Sequence, residues 1–371
     1  MNILILTARF GMGHISVANT IERELKTLDS EIKISTVDLI EYVYSERAKI
    51  IYNGFSLLVK NHPEIYNLLY KFSEKIEMDI KLPGSSINKK LNKLIEDYSP
   101  DIIISTIPIC ARTISAFKRS TNLNSLLVTS ITDISTHIEW IAPGTDYYLV
   151  PSKEIKNHLI KYGVKASRVF TTGVPVSKNF NIKKEGSAKT KNILIMGGGL
   201  GLLPKLENLM DRLVKEPNIC VTIISGKNKN SYDRLLKKYP QSEIIGFTKE
   251  VHKYMEKADI ILTKPGGVTL FEAIYSETPM FIIKPYLAQE KANGKFIEEY
   301  MLGKVVWENS EDIPNQLMDF IKAEEVLNFI RENMRQLKTE FPNVNLKNTL
   351  KTIVEKAKRK NLYNINLADV I

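Results

Sequence analysis

Short apolar, β-branched runs alternate along this chain with longer stretches whose apolar residues recur at helical spacing. In the first half the runs are NILILT from Asn2, IKISTV from Ile32, DIIIST from Asp101, SLLVTSI from Ser125, YYLV from Tyr147 and VFTT from Val169. The second half repeats the pattern with NILIMG from Asn192, ICVTIIS from Ile219, EIIGF from Glu243, DIILTK from Asp259, MFIIK from Met280 and KVVW from Lys304. Nearly continuous apolar strands separated by helices predict parallel sheets with helices on both faces. Two similar α/β domains in tandem are expected.

Polar and basic composition marks the boundaries. Residues 1–176 form the first domain, SKNFNIKKEGSAKTK (177–191) reads as a linker, and residues 192–345 form the second. Residues 346–371 read as a helix and tail, with Leu346, Leu350, Ile353, Val354 and Ala357 at helical spacing, and the helix is expected to cross back to the first domain. Residues 42–82 are a long insert that mixes Tyr42, Tyr44, Tyr52, Phe55, Tyr66, Tyr70 and Phe72 with lysines. One reading packs this insert on the sheet as one or two amphipathic helices. The other leaves part of its surface apolar and basic, to lie on a membrane or grip a lipid.

Charge narrows the partners. The 371 residues carry 52 Lys and Arg against 42 Asp and Glu, a net charge of +10, so an anionic partner is expected. No apolar run reaches eighteen residues and NILIL is too short for a secretory core, which predicts a cytoplasmic protein, peripheral on the inner face of the cell membrane. The two cysteines, Cys110 and Cys220, lie in or beside apolar runs and are expected to be buried free thiols.

Three glycine turns join strands to helices, where backbone N–H groups and the helix dipole favour an anion. Gly11-Met12-Gly13-His14-Ile15-Ser16 nearly matches the dinucleotide fingerprint, and Gly197-Gly198-Gly199-Leu200-Gly201 also misses its spacing. Lys264-Pro265-Gly266-Gly267 leads into a helix carrying Glu272, which either reaches a ribose diol or is a solvated acid that complements the helix dipole. Gln289, Glu290 and Asn293 follow another strand end, as sugar-binding donors and acceptors or as a helix cap.

GMGH, TDISTH (132–137), GVPV (173–176), GGGLG, GFTKEV, TKPGGVTLFEA and KPYLAQEKAN occur in the order seen in one group. Over about residues 1–340 the chain resembles the glycosyltransferase family 28 enzymes that make glycolipids, the monogalactosyldiacylglycerol synthases and processive diacylglycerol glucosyltransferases. The resemblance implies an α/β GT-B fold, two Rossmann-like domains facing a central cleft, with a UDP-sugar in the second and the acceptor in the first. It implies that Glu272 binds the UDP ribose, that Gly266, Gly267 and Thr269 line the phosphates, and that the backbone at Phe247 meets the uracil. Gln289, Glu290 and Asn293 then attend the donor sugar, Gly199 and Leu200 close over the diphosphate, and Lys264 supplies a cation. His14 and Asp133 face the acceptor as catalytic residues, with Gly13 and His137 on the same side. Met12 and the spacing around His137 depart from the family pattern, which leaves the acceptor less defined than the donor.

Glycosyl transfer from UDP needs charge stabilisation on the departing diphosphate and a base for the acceptor hydroxyl. The chain has no D-x-D motif, so amides at helix starts and lysine are expected to replace a metal, and no cofactor is expected. A neutral imidazole at a helix start suits the base, although His14 also reads as a capping residue; Asp133 orients it, is the base itself, or caps a helix. The expected function is inverting, metal-independent hexosyl transfer to a diacylglycerol-type hydroxyl. The expected partners are a UDP-sugar, a lipid acceptor and an anionic membrane surface, not nucleic acid. The alternatives are a soluble or other lipid acceptor, an NAD(P)-dependent oxidoreductase using Asp38 on a ribose, and a non-catalytic nucleotide-sugar sensor.

Overall fold

The computed structural model describes residues 1–73, 84–182, 190–198, 207–308, 312–341 and 343–368. All twelve expected strands form. In the first half they are β1 (Asn2–Thr7), β2 (Lys33–Asp38), β3 (Ile102–Ser105), β4 (Leu126–Ser130), β5 (Tyr147–Val150) and β6 (Val169–Thr171). In the second they are β7 (Lys191–Met196), β8 (Ile219–Ile224), β9 (Glu243–Ile245), β10 (Ile260–Thr263), β11 (Met280–Ile283) and β12 (Gly303–Val306). Between them run α1 (Met12–Lys26), α2 (Leu39–Tyr44), α3 (Ala48–Asn61), α4 (Pro63–Ser73), α5 (Gly84–Tyr98), α6 (Pro108–Thr121) and α7 (Lys153–Lys161). The second half adds α8 (Glu207–Leu213), α9 (Lys229–Lys238), α10 (Val251–Lys257), α11 (Gly267–Tyr275), α12 (Ala288–Glu299), α13 (Ile313–Lys322), α14 (Glu324–Glu340) and α15 (Asn343–Ala368).

The strands form two all-parallel six-stranded sheets, ordered β2-β1-β3-β4-β5-β6 and β12-β11-β10-β7-β8-β9. Central strands are buried on both faces: Leu4, Ile5 and Leu6 of β1 and Ile260, Ile261 and Leu262 of β10 have no exposed surface, which is why they read as unbroken apolar runs. In the second sheet strand order reverses between β7 and β10, and in the first between β1 and β3; open α/β sheets bind ligands beyond the strand ends at such points.

The chain divides into two compact units. Met1–Phe10, His14–Pro175 and the stretch from Phe341 through α15 make the first; Gly11–Gly13 with Val176–Glu340 make the second. Leu346, Leu350, Ile353, Val354 and Ala357 of α15 are all buried, and Lys358 pairs with Asp29 at 3.0 Å. The Lys360 ammonium donates to the Asn124 carbonyl at 2.7 Å, so polar contacts as well as an apolar stripe fasten α15 to the first unit. Residues 183–189 of the expected linker lie outside the described residues. Its start is packed rather than loose: Phe180 is buried, edge-on to His252, and the Ile182 amide donates to the Tyr275 carbonyl.

One further expectation needs correction. Cys110 is buried as expected, but Cys220 is exposed, because it sits near the start of β8, where the strand's side chains alternate between interior and solvent. The described part of the 42–82 insert holds two complete helices, α3 and α4, after the end of α2; its residues 74–82 lie outside the described ones. Apart from Ala48, α3 and α4 bury no residue fully.

Candidate functional site

In the first unit the ligand edge is built at the β1/β3 reversal. Helix α1 begins at Met12, so Gly13 and His14 belong to its first turn rather than to a loop ahead of it. The His14 ring reaches across to the end of β3, where Nδ1 lies 2.9 Å from the Thr106 carbonyl oxygen. A carbonyl only accepts, so Nδ1 carries the proton and Nε2 keeps its lone pair. Thr132 Oγ1 stands 3.3 Å from the same Nδ1 and 3.5 Å from Asp133 Oδ2, which brings Asp133 into the same cluster. Burial of the ring lowers the imidazole pKa, against opposing contributions from Asp133 and the Thr106 carbonyl, and the helix start adds to the preference for the neutral form.

His137 is built differently. Its Nδ1 accepts from the Glu139 amide at 3.1 Å, and Nε2 then donates to the Tyr70 carbonyl at 2.7 Å. The Tyr70 ring lies 3.8 Å from the imidazole and its hydroxyl is 2.8 Å from Ser135 Oγ. Both ring nitrogens are committed and the side chain is buried, so His137 fastens α4 to the loop after β4. The Glu139 carboxyl is pushed up to about 7, by burial first and then by the charge of Asp133, with Arg112 opposing.

Asp38, the candidate for a dinucleotide ribose, is already occupied. It caps α2 through the Glu41 amide at 2.9 Å, pairs with Arg9 at 3.0 Å and accepts from the Tyr52 hydroxyl at 2.5 Å.

In the second unit the edge forms where β7 and β10 diverge. Gly198 follows β7 at φ 68°, a left-handed conformation that glycine adopts without strain; Gly199 and Leu200 lie outside the described residues. Gly266 is the N-cap of α11 and makes no side-chain cap, and the first turn, which contains Gly267 and Thr269, has no acidic residue, so the helix itself supplies no carboxylate to its first amides. Asn293, fully buried, donates from Nδ2 to the Pro265 carbonyl at 2.8 Å and so fixes the Lys264–Gly267 loop.

Glu272 is buried rather than solvated, which sets aside the dipole-complementing reading. Burial alone pushes its carboxyl up to about 8, and no other described residue makes a hydrogen bond or ion pair with it. A buried carboxyl of that kind is costly unless a ligand satisfies it.

Glu290 takes the helix-cap role: Oε2 accepts from the Tyr286 and Leu287 amides at 2.9 and 3.1 Å, while Oε1 stands 4.0 Å from the Lys264 ammonium. Gln289 is half-buried on the first turn of α12. Phe247 is exposed with the Lys227 ammonium 5.2 Å from its ring, next to a depression of about 280 Å³ lined by Gly226, Lys227, Lys229, Tyr232 and Gly246. A cavity of about 320 Å³ at the opposite ends of the strands, with Asn192, Cys220 and Glu243, is remote from these loops. Among the described residues no group of three or more His, Cys, Asp or Glu is placed to hold a metal ion.

Thr106, Thr132, Lys227 and Tyr70 complete these arrangements and were not foreseen. Thr106 and Thr132 end strand runs that carry the motifs, so position at a strand end was the available signal; nothing local marks Tyr70, whose partner is 67 residues away in sequence.

Comparison with known proteins agrees in both halves. The Monogalactosyldiacylglycerol (MGDG) synthase family profile matches residues 14–176, and the Glycosyltransferase family 28 C-terminal domain matches residues 192–356. A processive diacylglycerol beta-glucosyltransferase of Bacillus pumilus is 30% identical over 95% of this chain and 93% of its own length. Among solved structures, Acinetobacter baumannii MurG superposes with a TM-score of 0.63 at 16% identity, covering 96% of this chain and 99% of that one. Anabaena HepE, solved in complex with UDP, gives 0.58 at 13% identity over 96% and 100%. The two-domain architecture shared with these chains is the GT-B fold. With both halves matched and the relationship running nearly end to end, the chain belongs to glycosyltransferase family 28, in the group of monogalactosyldiacylglycerol synthases and processive diacylglycerol glucosyltransferases.

Proposed function

We propose that this glycosyltransferase moves a hexose from a UDP-sugar to the free hydroxyl of a diacylglycerol-type lipid, with inversion at the anomeric carbon and without a metal or other cofactor. The observation that carries the reading is Glu272, a buried carboxyl with no partner among the described residues, beside a helix start without a side-chain cap at the reversal of the second sheet. A ribose diol supplies the two donors it lacks, and a diphosphate answers the amides of Gly267 and Thr269. The relative named a diacylglycerol glucosyltransferase and the neighbour solved with UDP support the same acceptor and donor.

In the first unit His14 Nε2 takes the acceptor proton as its oxygen attacks the anomeric carbon opposite the departing diphosphate. The carbon–oxygen bond to the diphosphate breaks, and the electron pair leaves with UDP. Asp133, clustered with Thr132 and His14, stabilises the imidazolium formed in this step.

The lipid is met at a membrane. On α3 and α4, Ile50, Leu57, Leu68, Leu69 and Phe72 are more than half exposed, amid Lys49, Lys60 and Lys71, the pattern of an interfacial surface. No described helix is long and apolar enough to cross a bilayer, so contact with the inner face of the cell membrane is peripheral in this reading.

The test is UDP release across a panel of UDP-sugars, with and without diacylglycerol in anionic vesicles. Release that requires both a UDP-hexose and the lipid is expected. Equal release without lipid, or tight NADH binding with no UDP binding, overturns the reading.

A further inference from the structure

A lysine at the ligand edge of the second sheet has no place in the roles assigned so far. Lys284 directly follows β11, and its backbone lies at φ 34°, in the left-handed region that residues with a β-carbon seldom enter. The distortion is not a frayed end, because the Lys284 amide still donates to the Val306 carbonyl at 2.7 Å. Such strain persists where the surroundings enforce it and gathers at functional sites.

Its surroundings give the strain a direction. Strands β10 and β11 are parallel neighbours with Thr263 opposite Ile282, so Lys264 and Lys284 leave the sheet at the same edge. Their ammonium groups lie 5.4 and 5.2 Å from the centroid of one ring, Tyr286. Two like charges held on one aromatic ring repel each other unless an anion joins them. Within the protein the supply of anion is thin: Glu290 stands 4.0 Å from Lys264 with one oxygen already committed to backbone amides. Among the described residues the Lys284 ammonium has no acidic partner.

We propose that Lys284 is a phosphate-binding residue of the donor site, where it and Lys264 hold the diphosphate of the sugar nucleotide and stabilise it as the leaving group. The inference rests on the UDP-sugar reading above. As the anomeric carbon–oxygen bond breaks, the electron pair passes to the diphosphate oxygen; the lysines stay protonated and meet a charge that grows in the transition state.

The test is calorimetric titration of the full chain with UDP and with uridine, alongside steady-state UDP release, for wild type, Lys284→Met, Lys284→Arg and Lys284→Gly. Lys284→Met is expected to bind UDP about 10-fold more weakly, to lose kcat, and to bind uridine as wild type does, with Lys284→Arg recovering most of the loss. Glycine relieves the backbone strain, so Lys284→Gly is expected to melt at or above wild type while sharing the UDP defect, which separates charge from folding. Wild-type UDP affinity and kcat in Lys284→Met, or an equal loss for uridine and UDP, overturns the proposal. Failure of the wild-type chain to bind UDP removes the donor reading instead and is read in its own arm of the experiment.

Discussion

At the β1/β3 edge the polar groups answer one another: Asp38 accepts from an amide, a guanidinium and a phenol, and His137 uses both ring nitrogens. Among the described residues His14 is engaged through Nδ1, by Thr106 and Thr132. At the edge of the second sheet several groups find no answer among the described residues: Glu272 is buried without a partner, α11 has no side-chain cap and Lys284 has no acid. The contrast follows from what each edge is proposed to handle. A proton acceptor works best when everything around one lone pair is fixed, whereas a site for a charged nucleotide must keep charge and hydrogen-bonding capacity in reserve.

The largest test of that contrast is His14→Ala. Turnover is expected to fall about 10²- to 10⁴-fold while UDP affinity stays put, because the lesion is confined to the proton-accepting edge. Since burial lowers the imidazole pKa, the acid limb of kcat/KM for wild type is expected below 6.5, the ordinary histidine value, and a pH–rate profile reads it directly.

Glu272→Ala attacks the other edge and is expected to weaken UDP by about 10- to 100-fold, as for a lost hydrogen bond to a charged group. The same residue gives a stability signature of defined sign. Its carboxyl is held at about 8 against an ordinary 4.5, so between those values the folded state keeps a proton that the unfolded chain releases. Stability therefore falls as pH rises through that window. Melting curves should show Glu272→Gln at or above wild type at pH 8 and converging with it near pH 4.

A smaller effect is expected on the outer helices, where Leu57→Glu with Leu68→Glu should cut binding to anionic vesicles about 10-fold and leave turnover on a detergent-dispersed acceptor intact. The smallest concerns α15: Lys358→Ala removes a half-exposed ion pair with Asp29 and should leave the midpoint of a denaturant melt nearly unchanged.

The strands were legible because strands covered on both faces cannot alternate, and runs such as DIILT declare themselves. Strand order was not, since pairing between distant segments leaves no local trace; two halves that read alike take the orders 2-1-3-4-5-6 and, counted from β7, 3-2-1-4-5-6. The burial of Glu272 was within reach: GVTLFEAIY is apolar nearly all round, the mark of a helix with no wet face. The commitment of His137 was beyond reach, because its partner Tyr70 belongs to a helix brought near only by tertiary packing. Cys220 misled because an apolar run says nothing of which strand end reaches solvent.

The attachment of α15 to the first unit also has a consequence for biosynthesis. A ribosome releases residues in order, so every residue of the second unit has been made before α15 exists to cover its share of the first. Until then the surface that receives Leu350 and Ile353 stays open to water or to a chaperone, so the first unit, begun earliest, is finished last.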